Sequence, residues 1–287
     1  MRSLPVIRDA RYFQIVFQGI FLLYGIFVLH WNGDLTCFLL YFTASMLTQL
    51  SWEVVKNKFS FKALPFVEYG SWKSAAITAF GLCLLLKTSH WHIAVLAAFI
   101  SISGKYIFTW NRKHIFNPSA LGIVATILLT QQAWISPGQW GSSVVLFFMV
   151  CSLGFVVVTR VQKVDVSLAY LSTYVLLLFS RQILFQGWPV DYYIQSVTTG
   201  SLLLFSFFMI SDPKTTPNHP VARVLYACIV AGVAFYLSAF RFINGAPVWV
   251  LVFTSPLVPV LDWLFVSEKF QWLSFKNNLP PQKIIAS

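Results

Sequence analysis

The stretch IQSVTTGSLLLFSFFMISDPKTTPNHPVAR, residues 194–223, decides the fold. Its apolar middle opens on small residues, Ser196, Thr198, Thr199 and Gly200, and stops at Asp212-Pro213. Three prolines (Pro213, Pro217, Pro220) punctuate a polar turn before a new apolar run starts near Val221. In a membrane, an interrupted apolar segment is tolerated only where protein or a water-filled cavity satisfies its backbone. The functional centre is therefore expected here, facing a counterpart earlier in the chain.

Composition supports the membrane reading. Of 287 residues 57% are hydrophobic and 17% aromatic, with only 10% charged and a mean hydropathy of +0.72. Soluble domains carry about 25% charged residues. Apolar runs long enough to cross a hydrocarbon core of about 30 Å recur almost end to end. They fall near 13–31, 34–52, 72–87, 91–109, 118–135, 141–159, 166–184, 194–210, 221–240 and 247–266. The expected fold is thus an all-α polytopic membrane protein of about ten helices, a single transmembrane domain over 1–269. Segment 53–71 reads as an amphipathic, interfacial stretch and 270–287 as a polar cytoplasmic tail. Arg2, Arg8 and Arg11 precede the first run without a small-residue cleavage site, so that run is expected to remain.

Charge distribution orients the spans. Counted on alternate sides, 17 of the 20 Lys and Arg residues collect on one side, against Lys87, Arg181 and Arg241 on the other. The positive-inside rule then places both termini in the cytoplasm, in a bacterial inner membrane. The net charge of +11 follows from those loops and calls for no nucleic-acid partner. Trp31, Trp91, Trp134, Trp140, Trp188 and Trp249 fall toward the opposite interface. Cys37, Cys83, Cys151 and Cys228 lie in apolar runs without a CxxC pair, as small packing residues do. Ten spans divide into five and five, about 13–135 and 141–266, and odd-numbered halves must run in opposite senses. The short third and eighth spans then correspond, each opening on small polar residues: Ser71, Ser74, Ala75 and Thr78 against Ser196, Thr198, Thr199 and Ser201.

Two turns on the positive side stand out. In KHIFNPSALG, residues 113–122, Asn117-Pro118 has the residue types of a helix cap and first turn. In SDPKTTP, residues 211–217, Asp212 precedes a helix-stopping proline, with Thr215 and Thr216 behind it. Both also read simply as capping turns. Ionisable residues in spans are functional candidates. Asp212 ranks first and Asp262, in VPVLDW, second; each could equally pair structurally, Asp212 with Arg223 or Lys214. Glu53 and Asp165 read as solvated interface charges. His90 and His92 stand at i and i+2, which a helix points to different sides, and all five histidines fall near helix ends. No metal, haem or ATP site is expected.

The order NPSALG, S-x-T-T-G, FFMISDPKTTP, ARVLYACIVAGVAFYL and VPVLDW resembles the membrane-subunit family of RnfD and NqrB, most strongly over 72–130 and 194–266. The resemblance implies an inverted-repeat bundle related to urea transporters, with short helices 3 and 8 around a central pathway. It implies flavin-linked electron transport or ion translocation with redox partner subunits. Family members also carry a covalent FMN on a threonine between helices 5 and 6. Here that connection, QQAWISPGQW over 131–140, has no threonine, and Ser196-Val197-Thr198-Thr199 aligns with the start of helix 8 instead. No covalent FMN is expected, and the chain is closer to stand-alone RnfD-like or UnbU-type proteins. A noncovalent riboflavin or FMN remains an expected cofactor. A permease or channel for a small polar solute, cation or flavin is the alternative, and a membrane anchor for a redox partner a third reading. In the first two, Ser74, Thr78, Ser196, Thr198, Thr199 and Gly200 are expected to line the pathway. Asn117, Pro118, Asp212, Pro213, Thr215 and Thr216 would shape its cytoplasmic mouth, with Asp262 nearby.

Overall fold

In the computed structural model, residues 9–31, 35–56, 70–111, 113–136 and 144–267 are described. The expected amphipathic stretch beyond Lys56, part of the connection over 131–140 and the tail from 268 lie outside them. The described chain is predominantly helical: α1 Ala10–Phe27, α2 Leu35–Lys56, α3 Trp72–Leu85, α4 Trp91–Ile107, α5 Pro118–Thr130, α6 Val144–Val161, α7 Val164–Phe179, α8 Val190–Val197, α9 Gly200–Leu204, α10 Pro220–Phe240, α11 Ala246–Thr254 and α12 Leu257–Leu264. Wide π-helical turns extend α7 over Ser180–Phe185 and α9 over Phe205–Met209.

Helix ends follow local chemistry. Asp9 caps α1 by accepting from the Arg11 N–H at 3.0 Å. Asn117 caps α5 by accepting from the Ala120 N–H at 3.2 Å, with Pro118 in the first turn, where a missing N–H costs nothing. His219 and Pro220 open α10 in the same way. Gly245, at φ +66°, supplies the left-handed residue before α11.

Several spans differ from expectation. The third span ends at Leu85 rather than 87, and the fifth at Thr130 rather than 135. The chain beyond each is extended: β1 Leu86–Thr88 pairs antiparallel with β4 Ala133–Ile135, Lys87 opposite Trp134. A second small ladder pairs β2 Thr109–Trp110 with β3 Lys113–His114. The eighth span is not one helix. It breaks at Thr198-Thr199, where Thr199 is extended (φ −62°, ψ 128°), leaving α8 as a separate helix beside the short α9. The tenth bends by 53° between α11 and α12, next to Pro256.

Among the described residues three helices are long and apolar enough to cross a bilayer: Ala10–Phe27, Val164–Phe185 (α7 with its wide turn) and Pro220–Phe240. The bent α11–α12 pair makes a fourth, and α3, α4, α5, α6 and the α9 segment are shorter apolar helices. The surface they present is greasy, with Leu23, Leu39, Phe99, Leu129, Phe148 and Leu176 exposed. An apolar surface this extensive suits lipid contact. The chain is an integral membrane protein.

Inside, small residues allow close approach of helices. A Cβ on Gly122 of α5 would stand 1.7 Å from Ser101 Oγ and 2.8 Å from the Ala97 carbonyl, both on α4. Packing repeats along the chain. In its first half α2 lies on α4, α4 on α5 and α1 on α3; in its second, α7 lies on α10, α10 on α11 and α6 on α9. Across the halves α1 meets α6 and α5 meets α11.

Candidate functional site

Two cavities lie at opposite ends of α3 and of the α9 segment. The first, about 250 Å³, is reached by Ser74, Thr78 and Gly81 of α3, by Asn117 and Pro118, and by Met209, Asp212 and Pro213. The second, about 560 Å³, is reached by Leu85 at the other end of α3 and by Ser196, Thr199 and Leu202. Six residues expected to mark the pathway and its mouth thus converge on the first cavity, and two, Ser196 and Thr199, on the second. Thr198 lines neither: at the helix break its hydroxyl donates back to the Ile194 carbonyl at 2.8 Å. Gly200 is buried and lines neither. Thr215 and Thr216 are buried within their turn, where the Thr216 hydroxyl donates to the Asp212 carbonyl at 3.0 Å.

The Asp212 turn closes on itself. The Asp212 side chain accepts from the Lys214 N–H at 2.9 Å, and its carbonyl accepts from the Thr215 and Thr216 N–H groups, each at 3.1 Å. Burial pushes its carboxyl above the usual carboxylate range, opposed by that N–H and by the charges of Lys214 and Lys105. Burial likewise depresses Lys214, opposed by Asp212. Arg223 pairs instead with Asp165 at 2.8 Å, so Asp165 is a structural partner and not a free interface charge.

The turn is pinned from three sides. Lys113 Nζ donates to the Thr216 carbonyl at 2.6 Å, to Asn218 Oδ1 at 3.2 Å and to Asp262 Oδ2 at 2.8 Å. Asp262 Oδ1 accepts from the Asn218 N–H at 2.7 Å. Lys163 Nζ donates to the Pro217 carbonyl at 3.1 Å. Asp262 therefore holds the turn and lines neither cavity.

Polar residues that the sequence reading passed over sit beside the first cavity. Lys105, counted only as a positive-side charge, is buried, with Nζ donating to Gln49 Oε1 at 2.9 Å. Glu53 is no solvated charge: 4% exposed, it accepts from Gln49 Nε2 at 2.7 Å and from the Ser71 hydroxyl. Helical spacing of Gln49 and Glu53, four apart, was the available signal. His114 Nδ1 lies 3.0 Å from the Lys105 carbonyl, and burial and the Lys105 charge hold its ring pKa down to about 4. Its imidazole is neutral at physiological pH.

The second cavity is of different character. Aromatic side chains wall it, among them Trp188, Tyr192, Phe205 and Phe235. Among the described residues Arg181 is the single charged side chain that lines it. The His90 and His92 rings, far from diverging, stack 5.3 Å apart, because His90 is extended (φ −139°, ψ 150°) just before α4.

Residues 128–271, just over half the chain, match the sequence model of the NQR2, RnfD, RnfE family. The chain belongs to this family. The match begins in the last turn of α5 and runs through α6 and α7, the part where the motif resemblance was weaker. A search of curated proteins returned no match. Family membership makes the chain an NQR/Rnf-type membrane subunit in general terms.

Proposed function

We propose that this subunit serves a flavin-linked electron-transport or ion-translocating system, works with redox partner subunits and carries no covalent FMN. One observation supports the reading above others: the two cavities open at opposite ends of α3 and of the broken α9 segment. That is the arrangement of two vestibules on one axis. The packing pairs argue for ten spans in two inverted halves. The pairs α2–α4, α4–α5 and α1–α3 of the first half have the counterparts α7–α10, α10–α11 and α6–α9 in the second, and α1–α6 and α5–α11 join elements to their own counterparts. Both termini then lie on the cytoplasmic side of the inner membrane, with the first cavity facing the cytoplasm.

The second cavity suits a noncovalent flavin. At about 560 Å³ it lies in the range of cofactor sites, roughly 300–1,000 Å³. Its aromatic walls can stack a planar ring, and a buried amide oxygen, Gln182 Oε1, lacks a partner among the described residues. A bound flavin would supply one-electron chemistry, while the protein sets its orientation and polarity. Absorbance and fluorescence spectra of protein purified in mild detergent, repeated after acid precipitation, test the reading. Flavin passing wholly into the supernatant is expected. Flavin retained on the denatured chain would overturn the absence of a covalent link, and a folded, flavin-free protein would overturn the flavin itself.

The small first cavity favours a second reading. Hydroxyls of Ser74, Thr78 and Ser119 and the Asn117 side chain line it, as in a path for a small polar solute or ion. Uptake by liposomes holding this protein alone would support a permease.

A further inference from the structure

We propose that the second cavity is built to read the imide edge of a planar heterocycle, with Gln182 accepting a ring N–H and Arg181 donating to the adjacent carbonyl. The inference rests on the flavin reading for its occupant, because a flavin ring carries that edge.

The amide orientation is fixed by its neighbours. The Ser196 hydroxyl donates to the Tyr192 carbonyl at 2.9 Å, so its oxygen is left to accept from Gln182 Nε2 at 3.2 Å. Gln182 Oε1 is thereby turned away from Ser196 and, among the described residues, has no donor. The residue is only 7% exposed, and an unmet acceptor at that depth costs about 1–3 kcal/mol. A ligand N–H or O–H removes that cost; a metal-free anion or an aliphatic chain does not.

Arg181 supplies the complementary group. Its guanidinium lies over the Phe240 ring, 4.0 Å from the centroid, and the residue lines the cavity with five N–H donors to offer. Among the described residues it makes no ion pair, and no carboxylate lines the cavity. A cation is therefore disfavoured there, whereas a carbonyl oxygen is welcome. Arg181 and Gln182 stand side by side on the π-helical turn Ser180–Phe185, and Phe205 of the wall opens the other such turn. Wide turns of this kind re-aim side chains and recur at functional sites. Donor, acceptor and aromatic faces together describe a ring with N–H beside C=O.

Riboflavin titrated into the purified protein, followed by quenching of its fluorescence, tests the site. Gln182→Leu should weaken binding about 10- to 100-fold, the scale of one buried hydrogen bond. Riboflavin methylated at the imide nitrogen should lose as much against the wild type and nothing further against Gln182→Leu. The unfolding transition of Gln182→Leu, compared with that of the wild type in the same detergent, serves as the folding control. Equal affinity of wild type and Gln182→Leu would overturn the inference while leaving a flavin cofactor intact. Gln182-dependent binding by protein that purifies without flavin would uphold the inference and overturn the cofactor reading. A folded wild type with no affinity for riboflavin would overturn the inference.

Discussion

Asp262→Ala should loosen the Asp212 turn measurably, and the cost can be worked from the contacts. The carboxylate receives Lys113 Nζ at 2.8 Å and the Asn218 N–H at 2.7 Å. Hydrogen bonds to charged groups contribute about 1.5–3 kcal/mol each. The two side chains are 13% and 18% exposed, between a surface pair worth about 0–1 kcal/mol and a fully buried one costing about 3–5 kcal/mol to break. Lys113 keeps two other acceptors, Thr216 and Asn218, which softens its loss. The expected destabilisation is about 2–3 kcal/mol for Asp262→Ala. Lys113→Met should cost a similar amount, and the pair should show a coupling of about 1–2 kcal/mol in a double-mutant cycle. Unfolding titrations in mixed micelles, followed by tryptophan fluorescence, give these numbers, and proteolysis within 211–219 reports where the loosening occurs. A coupling indistinguishable from zero would refute the claim that Lys113 and Asp262 hold the turn together.

Two further outcomes follow from the packing and the charges. Gly122→Ala should cost about 1–3 kcal/mol by overpacking. Adding Ser101→Ala should restore only part of it, because the Ala97 carbonyl at 2.8 Å cannot rotate away; full restoration in the same titration would contradict that geometry. Lys163 is held down to about 7 by burial first and then by the charges of Arg223 and Lys113, against an ordinary value of 10.5. Between those two values the unfolded chain binds the extra proton, so stability should rise with pH across that window and stay flat below it. Comparing unfolding at about pH 7 and about pH 9 should show the rise in the wild type and its loss in Lys163→Met.

The sequence carried the predominance of apolar helices because an apolar run of given length admits few other fates in a chain this poor in charge. It also carried the Asn117-Pro118 cap and the stop at Asp212-Pro213, where single residues dictate the backbone. Leu86 and Ala133–Ile135 misled because an apolar residue reads alike in the last turn of a helix and in a short strand. The break at Thr198-Thr199 was visible as polarity but not as geometry, since a hydroxyl that bonds to its own helix suits an unbroken helix equally well. Lys105, Gln49 and Glu53 were missed for a different reason. A titratable residue near a helix end is ordinarily solvated, and only the approach of α3 and α4 to α2 buries these. Arg181 and Gln182 needed the wide turn of α7 to aim them, which no periodicity announces.

The central claim is a bundle with one vestibule on each side of the membrane, a polar one and an aromatic one. Single cysteines placed at Ser74, Thr78, Ser196 and Thr199 in a chain without its four native cysteines test it most directly. A membrane-impermeant maleimide would be applied to inside-out and right-side-out vesicles. Labelling of positions 74 and 78 from the cytoplasmic side alone, and of 196 and 199 from the opposite side alone, is the predicted result. Labelling of all four from one side would contradict the account.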